Sequence, residues 1–141
     1  MSKRGHDFAD EASACKKIID HGFDLVGQMM IGLPGSSLTD EIKTAEFIIA
    51  SGAKAARIYP TVVFRETELC DLTESGEYSP LSVEDAVVRT TAVYKKFIEA
   101  NVDVIRIGLC SSENLASDET YFAGPNPVSY THLTLPTMAV V

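Results

Sequence analysis

Three short stretches of the chain carry polar groups at positions where a packed strand would carry apolar ones. The first is Gln28-Met29-Met30-Ile31-Gly32-Leu33-Pro34-Gly35, where an uncharged run from Leu25 to Ile31 meets a turn rich in glycine and proline. Glycine lets a ligand approach the backbone closely, and proline stiffens the loop. In α/β proteins ligands bind outside the carboxyl ends of the strands, which is where this turn falls. In the second stretch Arg57 and Tyr59 alternate with Ala56 and Ile58 and therefore share one face of a strand. The third places Arg106 between Ile105 and Ile107. An unpaired charge buried in a small packed barrel costs several kcal/mol. A partly open barrel whose interior receives a polar ligand accounts for Gln28, Arg57 and Arg106 together. The competing reading sends both arginines to solvent at strand ends.

Other chemistry is poorly supported. The turn is not a Walker phosphate loop, which closes with Gly-Lys-Ser/Thr, and it lacks the G-x-G-x-x-G spacing of a dinucleotide fingerprint. His6 and His21 have no acidic residues at metal-ligand spacing, and His21 is placed to meet the carboxyl end of a helix dipole. His6 follows Arg4-Gly5 in an expected loop and keeps an open role. Cys15 falls on an apolar helix face, and Cys70 and Cys110 have no neighbouring base. No residue is assigned a catalytic or metal-ligating role, and no nucleophile–base pair is visible.

Elements capable of holding these groups follow from the pattern. Phe8, Ala12, Cys15 and Ile19 recur at helical spacing over Asp7–His21, with Gly22 as the stop. The apolar run Leu25–Ile31 predicts a strand covered on both faces, as in a parallel sheet. Ser37 with Asp40 forms a capping box for a helix ending near Ser51. Ala55–Val63 is the second expected strand, interrupted near Pro60. A long excursion from Phe64 to Pro80 includes a short helix over Glu66–Thr73. Ser82 caps a helix running to about Ala100, and Val104–Gly108 is the third strand. Strands alternating with helices predict a parallel sheet built from right-handed crossovers.

The 141 residues suffice for one domain or part of a larger one, and 45% hydrophobic with 23% charged is a globular composition. A net charge of −8 argues against a large phosphate-neutralising surface. No run is apolar for long enough to span a bilayer, and the first residues do not form a signal peptide. Three widely spaced cysteines fit reduced thiols and a cytoplasmic location. The tail Val128–Val141 matches one reading frame of a transposase-based sequencing adapter. It is expected to be read-through of library DNA, leaving residues 1–127 as the protein domain.

Taken as an ordered set, four blocks resemble the radical S-adenosylmethionine (SAM) superfamily. They are Arg4-Gly5-His6, Gln28–Gly35, Arg57-Ile58-Tyr59-Pro60-Thr61-Val62-Val63 and Val104-Ile105-Arg106-Ile107-Gly108-Leu109. The branch they resemble is the Elongator-catalytic-subunit-like and oxygen-independent-coproporphyrinogen-oxidase-like proteins of bacteria. The resemblance implies an α/β fold, the C-terminal part of a partial (β/α) TIM-like barrel with parallel strands alternating with helices. It implies S-adenosylmethionine and a [4Fe-4S] cluster in the parent protein, with a 5′-deoxyadenosyl radical abstracting a substrate hydrogen. It implies a cofactor wall of Gln28, Met30, Ile31, Gly32, Leu33, Pro34, Arg57, Tyr59 and Arg106. The substrate is not readable, and tRNA or a tetrapyrrole enters by family analogy only. The cluster motif C-x-x-x-C-x-x-C is missing from these residues, so the chain is expected to be an inactive fragment of the barrel. The alternative is a small non-catalytic binding module with a complete flavodoxin-like sheet.

Overall fold

The computed structural model describes residues 5–109 and 119–125. Arg4, Cys110 and the tail Val128–Val141 lie outside them. Helix α1 (Phe8–Asp20) opens at Asp7, whose carboxylate accepts the amides of Ala9 and Asp10, while Asp10 accepts the Asp7 amide in return. His21 closes it with a ring nitrogen 2.7 Å from the Lys17 carbonyl, and Gly22 takes the left-handed conformation that stops the helix. Strand β1 (Val26–Ile31) follows. Helix α2 (Leu38–Ala50) begins at the expected Ser37–Asp40 capping box. Strand β2 spans Ala55–Pro60, and the short β3 spans Val63–Phe64. Helices α3 (Glu68–Glu74) and α4 (Val83–Glu99) precede β4 (Asp103–Ile107) and β5 (Tyr121–Ala123).

Strands β1, β2 and β4 form one parallel sheet in chain order. Its core lies on one side: Met29, Ile31, Ala56 and Ile58 from the strands pack with Ala45 and Ile48 of α2 and Val93 and Phe97 of α4. Both crossover helices therefore cover the same face. That is the singly wound arrangement of a (β/α) barrel; a doubly wound flavodoxin-like sheet reverses its order and carries helices on both faces. The described sheet thus departs from the flavodoxin-like alternative.

Three expectations are corrected. Among the described residues helices cover one face of the sheet, so β1 alternates between exposed Val26 and Gln28 and buried Met29 and Ile31. The strand expected over Ala55–Val63 ends at Pro60, which has no amide to continue the ladder. Val63–Phe64 instead pairs antiparallel with Tyr121–Ala123 in a separate two-stranded sheet. The excursion helix starts at Glu68, because Thr67 is its cap and Glu66 sits at a positive φ of 59°. A second small core of Val63, Cys70 and Tyr78 fixes this excursion beside the carboxyl end of the parallel sheet.

Candidate functional site

On the uncovered face the three polar residues fall into one row. Gln28 of β1 lies opposite Arg57 of β2, and Arg57 lies opposite Arg106 of β4. The second alignment depends on an irregularity in the ladder. Ala56 pairs with Val104, yet the next residue, Arg57, pairs with Arg106, so Ile105 is an extra residue with no opposite number. In a regular ladder Arg57 would face Ile105, and Arg106 would turn with Ile58 into the helix-side core. The bulge inverts that alternation and brings Arg106 onto the face that carries Arg57. Bulges that re-aim a side chain recur beside active sites.

One level nearer the carboxyl ends, Met30 lies opposite Tyr59, both half-buried. The two levels are roughly 6.6 Å apart, two residues along a strand. The face therefore offers a thioether and a phenol ring above, and an amide and two guanidinium groups below. Arg57 is central in β2 and not at its end, whereas Arg106 is next to the last residue of β4; both side chains are exposed, as the competing reading has them.

Not every expected site residue belongs to this face. The side chain of Ile31 is wholly buried in the helix-side core, and its carbonyl accepts both the amide and the hydroxyl of Thr61, at 2.8 and 2.7 Å. Leu33 is half-buried, and Pro34 is exposed at the turn. Gly32 is required for reasons internal to the fold. Its φ is +80°, and a Cβ there would come within 2.5 Å of Leu81 Cδ1. The close approach that its lack of a side chain permits is to Leu81.

Three residues at this turn were not anticipated. Glu41 of α2, 2% exposed, accepts the Gly32 amide at Oε1 (2.7 Å). Arg89 of α4 holds the same carboxylate with two nitrogens, Nε on Oε2 at 2.8 Å and Nη2 on Oε1 at 2.6 Å. Nη2 also donates to the Ser36 carbonyl at 3.0 Å. Tyr78, from the excursion, donates its hydroxyl to the Gly32 carbonyl at 2.6 Å. Burial pushes the Tyr78 phenol above its ordinary pKa, with Arg89 opposing the shift. A signal for the first two was present. Glu41 precedes Ala45 and Ile48 at core-facing helical spacing, and Arg89 lies between Ala86 and Val93 in the same way. Tyr78 sits in an excursion without periodicity and gave no such signal.

The donor set does not fit an iron cluster. Cys15 packs against the helix-side core, and Cys70 is buried in the second core, where desolvation raises its thiol pKa. Among the described residues no three His, Cys, Asp or Glu side chains are grouped as a metal site would need. No helix among them is long and apolar enough to cross a membrane.

Comparisons with known proteins bear on the family and the fold. Residues 53–133 match the Radical SAM C-terminal domain, a span that ends inside the stretch read as adapter-derived. An uncharacterized protein of Methanocaldococcus jannaschii is 36% identical over 78 residues, covering 55% of this chain and 24% of the relative. A tRNA uridine(34) acetyltransferase of Methanocaldococcus infernus is 31% identical over 90 residues, or 62% of this chain and 17% of the relative. The chain thus spans about a quarter or less of these relatives. The solved structure of the archaeal Methanocaldococcus infernus Elp3 with an N-terminal deletion superposes with a TM-score of 0.71 at 24% identity. That match covers 96% of this chain and 32% of the other, and it agrees with the partial-barrel architecture.

Proposed function

The chain belongs to the Radical SAM C-terminal domain family, in its Elongator-like branch, and from that premise we propose that its uncovered sheet face is one wall of an S-adenosylmethionine site. The observation that carries the reading is the row Gln28–Arg57–Arg106, brought onto one face by the extra residue Ile105. The groups present suit the cofactor. Met30 and Tyr59, beside the Gly32-Leu33-Pro34 turn, offer an apolar surface for a base. Gln28, Arg57 and Arg106 offer hydrogen-bond donors for hydroxyl and carboxylate groups. In the parent enzyme the bound cofactor supplies the 5′-deoxyadenosyl radical that removes a substrate hydrogen. The work of this chain is to bind and orient. Its arginines hold a charged end in register, and its half-buried ring and thioether exclude water from one side of the base.

The described residues do not supply cluster ligands, so no electron-transfer step is assigned to them. The chain alone is accordingly inactive in this reading. The similarity to tRNA uridine(34) acetyltransferases favours tRNA over a tetrapyrrole as the substrate of the parent protein. A net charge of −8 argues against a broad RNA-binding surface on this part of it.

Equilibrium dialysis with S-adenosylmethionine tests the wall. Weak but saturable binding that falls severalfold in Arg57→Ala is expected, and equal binding by both proteins would sink the assignment. Anaerobic reconstitution with iron and sulfide tests the inactivity. The expected outcome is substoichiometric iron and no 5′-deoxyadenosine; a stoichiometric four-iron cluster would contradict it.

A further inference from the structure

Gly32 is held at both of its backbone polar groups by side chains from two different parts of the chain, and a third side chain braces one of them. Its amide goes to Glu41 of α2, and its carbonyl receives the Tyr78 hydroxyl from the excursion after β3. Arg89 of α4 fixes the Glu41 carboxylate with two hydrogen bonds and ties the Ser36 carbonyl at the far side of the turn. Gly32 is buried, so its amide and carbonyl need partners within the protein in place of water. A carboxylate 2% exposed is costly to bury unless it is paired, and this one accepts from the Gly32 amide, from Arg89 and, at 3.4 Å, from the Ser36 hydroxyl.

We infer that Glu41, Arg89 and Tyr78 form a clamp that sets the backbone of the Gly32–Gly35 turn, and are positioning residues for the cofactor wall. The inference rests on reading that turn as part of an S-adenosylmethionine site. None of the three lies on the uncovered sheet face. Glu41 and Arg89 stand on the helices behind it, and the Tyr78 ring belongs to the second core. They act through Gly32. The turn carries two positive-φ glycines, Gly32 at 80° and Gly35 at 73°. Each glycine has more accessible conformers than any other residue would have there, while Pro34 stiffens the turn between them, so outside restraint helps to give the turn one shape. The Ser36 amide, bonded to the Leu33 carbonyl at 2.9 Å, closes the turn within the restrained segment.

Amide hydrogen exchange on the full chain, read residue by residue, tests the clamp without any ligand. Tyr78→Phe keeps the ring in its core and removes only the donor to the Gly32 carbonyl. Glu41→Gln keeps the shape and one acceptor oxygen but removes the charge that Arg89 meets. In both variants exchange at Gly32 and Ser36 should rise about tenfold, while Met29 and Ile58 in the sheet change less than about twofold. A uniform rise across the sheet, or no change at the turn, would overturn the inference. Should Glu41→Gln fail to fold, Tyr78→Phe decides alone. A second arm measures the S-adenosylmethionine dissociation constant. It should weaken about tenfold in Tyr78→Phe yet stay within about twofold in Ile48→Val, a core change that leaves the turn untouched. Equal weakening in the two variants would reduce the clamp to a general stability effect. If the wild-type chain fails to bind S-adenosylmethionine at all, the cofactor reading falls, and the exchange data still decide whether the clamp exists.

Discussion

On the helix side of the sheet, Met29, Ile31, Ala56 and Ile58 meet α2 and α4 with Ile31, Ala56 and Ile58 wholly excluded from solvent. On the other side Gln28, Arg57 and Arg106 stand in a row, with Val26 and Ile105 46% and 54% exposed beside them. The same three strands make both faces, and alternation along each strand separates them. The helix side is organised by volume. The uncovered side is organised by charge and by register, and one extra residue in β4 is what keeps it in order. The difference teaches that the packed core and the proposed binding wall are divided between the faces, with the Gly32 turn lying at the carboxyl ends of the strands between them.

Substitutions on the two faces should therefore behave differently, and the largest effect belongs to the helix side. Phe97→Ala leaves a cavity under both crossovers and should cost about 3–5 kcal/mol in urea unfolding. Loss of less than about 1 kcal/mol would mean that the core is not where it is described. Glu41→Ala comes next. It strands the Arg89 guanidinium and the Gly32 amide together, with an expected cost of about 3 kcal/mol. Tyr78→Phe should cost about 1 kcal/mol, because the Gly32 carbonyl loses its donor.

The tyrosine also predicts a pH dependence. Its folded-state pKa is raised above the ordinary tyrosine value of 10.0 by burial. Its contribution is fully present below that unfolded value and is lost as pH rises through the folded one. Unfolding free energy measured from pH 8 upward should fall in the alkaline range for wild type, and by less for Tyr78→Phe. Identical alkaline profiles would remove the phenol from the account. The smallest stability effect is expected of Arg57→Ala, within about 0.5 kcal/mol, since the side chain is exposed. A much larger loss would show that the uncovered face also carries fold stability.

The sequence was most legible where neighbouring residues decide the outcome. Ser37 with Asp40, and Gly22, marked helix boundaries because caps and left-handed stops act over a few residues. The polar positions Gln28, Arg57 and Arg106 were legible as exceptions within apolar runs. Their alignment was not, because a bulge is defined by the partner strand and not by the sequence that bulges. The reading of β1 as covered on both faces failed for a related reason. Gln28 and Met30 are uncharged, and an uncharged run does not reveal which side meets a helix. The Glu41–Arg89 pair joins positions 48 residues apart. Each was visible as a charge on an apolar stripe, but the sequence offered no means of matching one to the other. The Val63–Phe64 pairing with Tyr121–Ala123 likewise joins segments with no local signal in common.

The central claim is that the uncovered face, rather than any other surface, receives S-adenosylmethionine. Titrating the isotope-labelled chain with S-adenosylmethionine and mapping the amide and methyl shifts tests it most directly. The account predicts perturbations concentrated at Gln28, Met30, Gly32, Arg57, Tyr59 and Arg106, with Ala45, Val93 and Phe97 unmoved. Shifts centred on the helix side, or none at saturating cofactor, would contradict it.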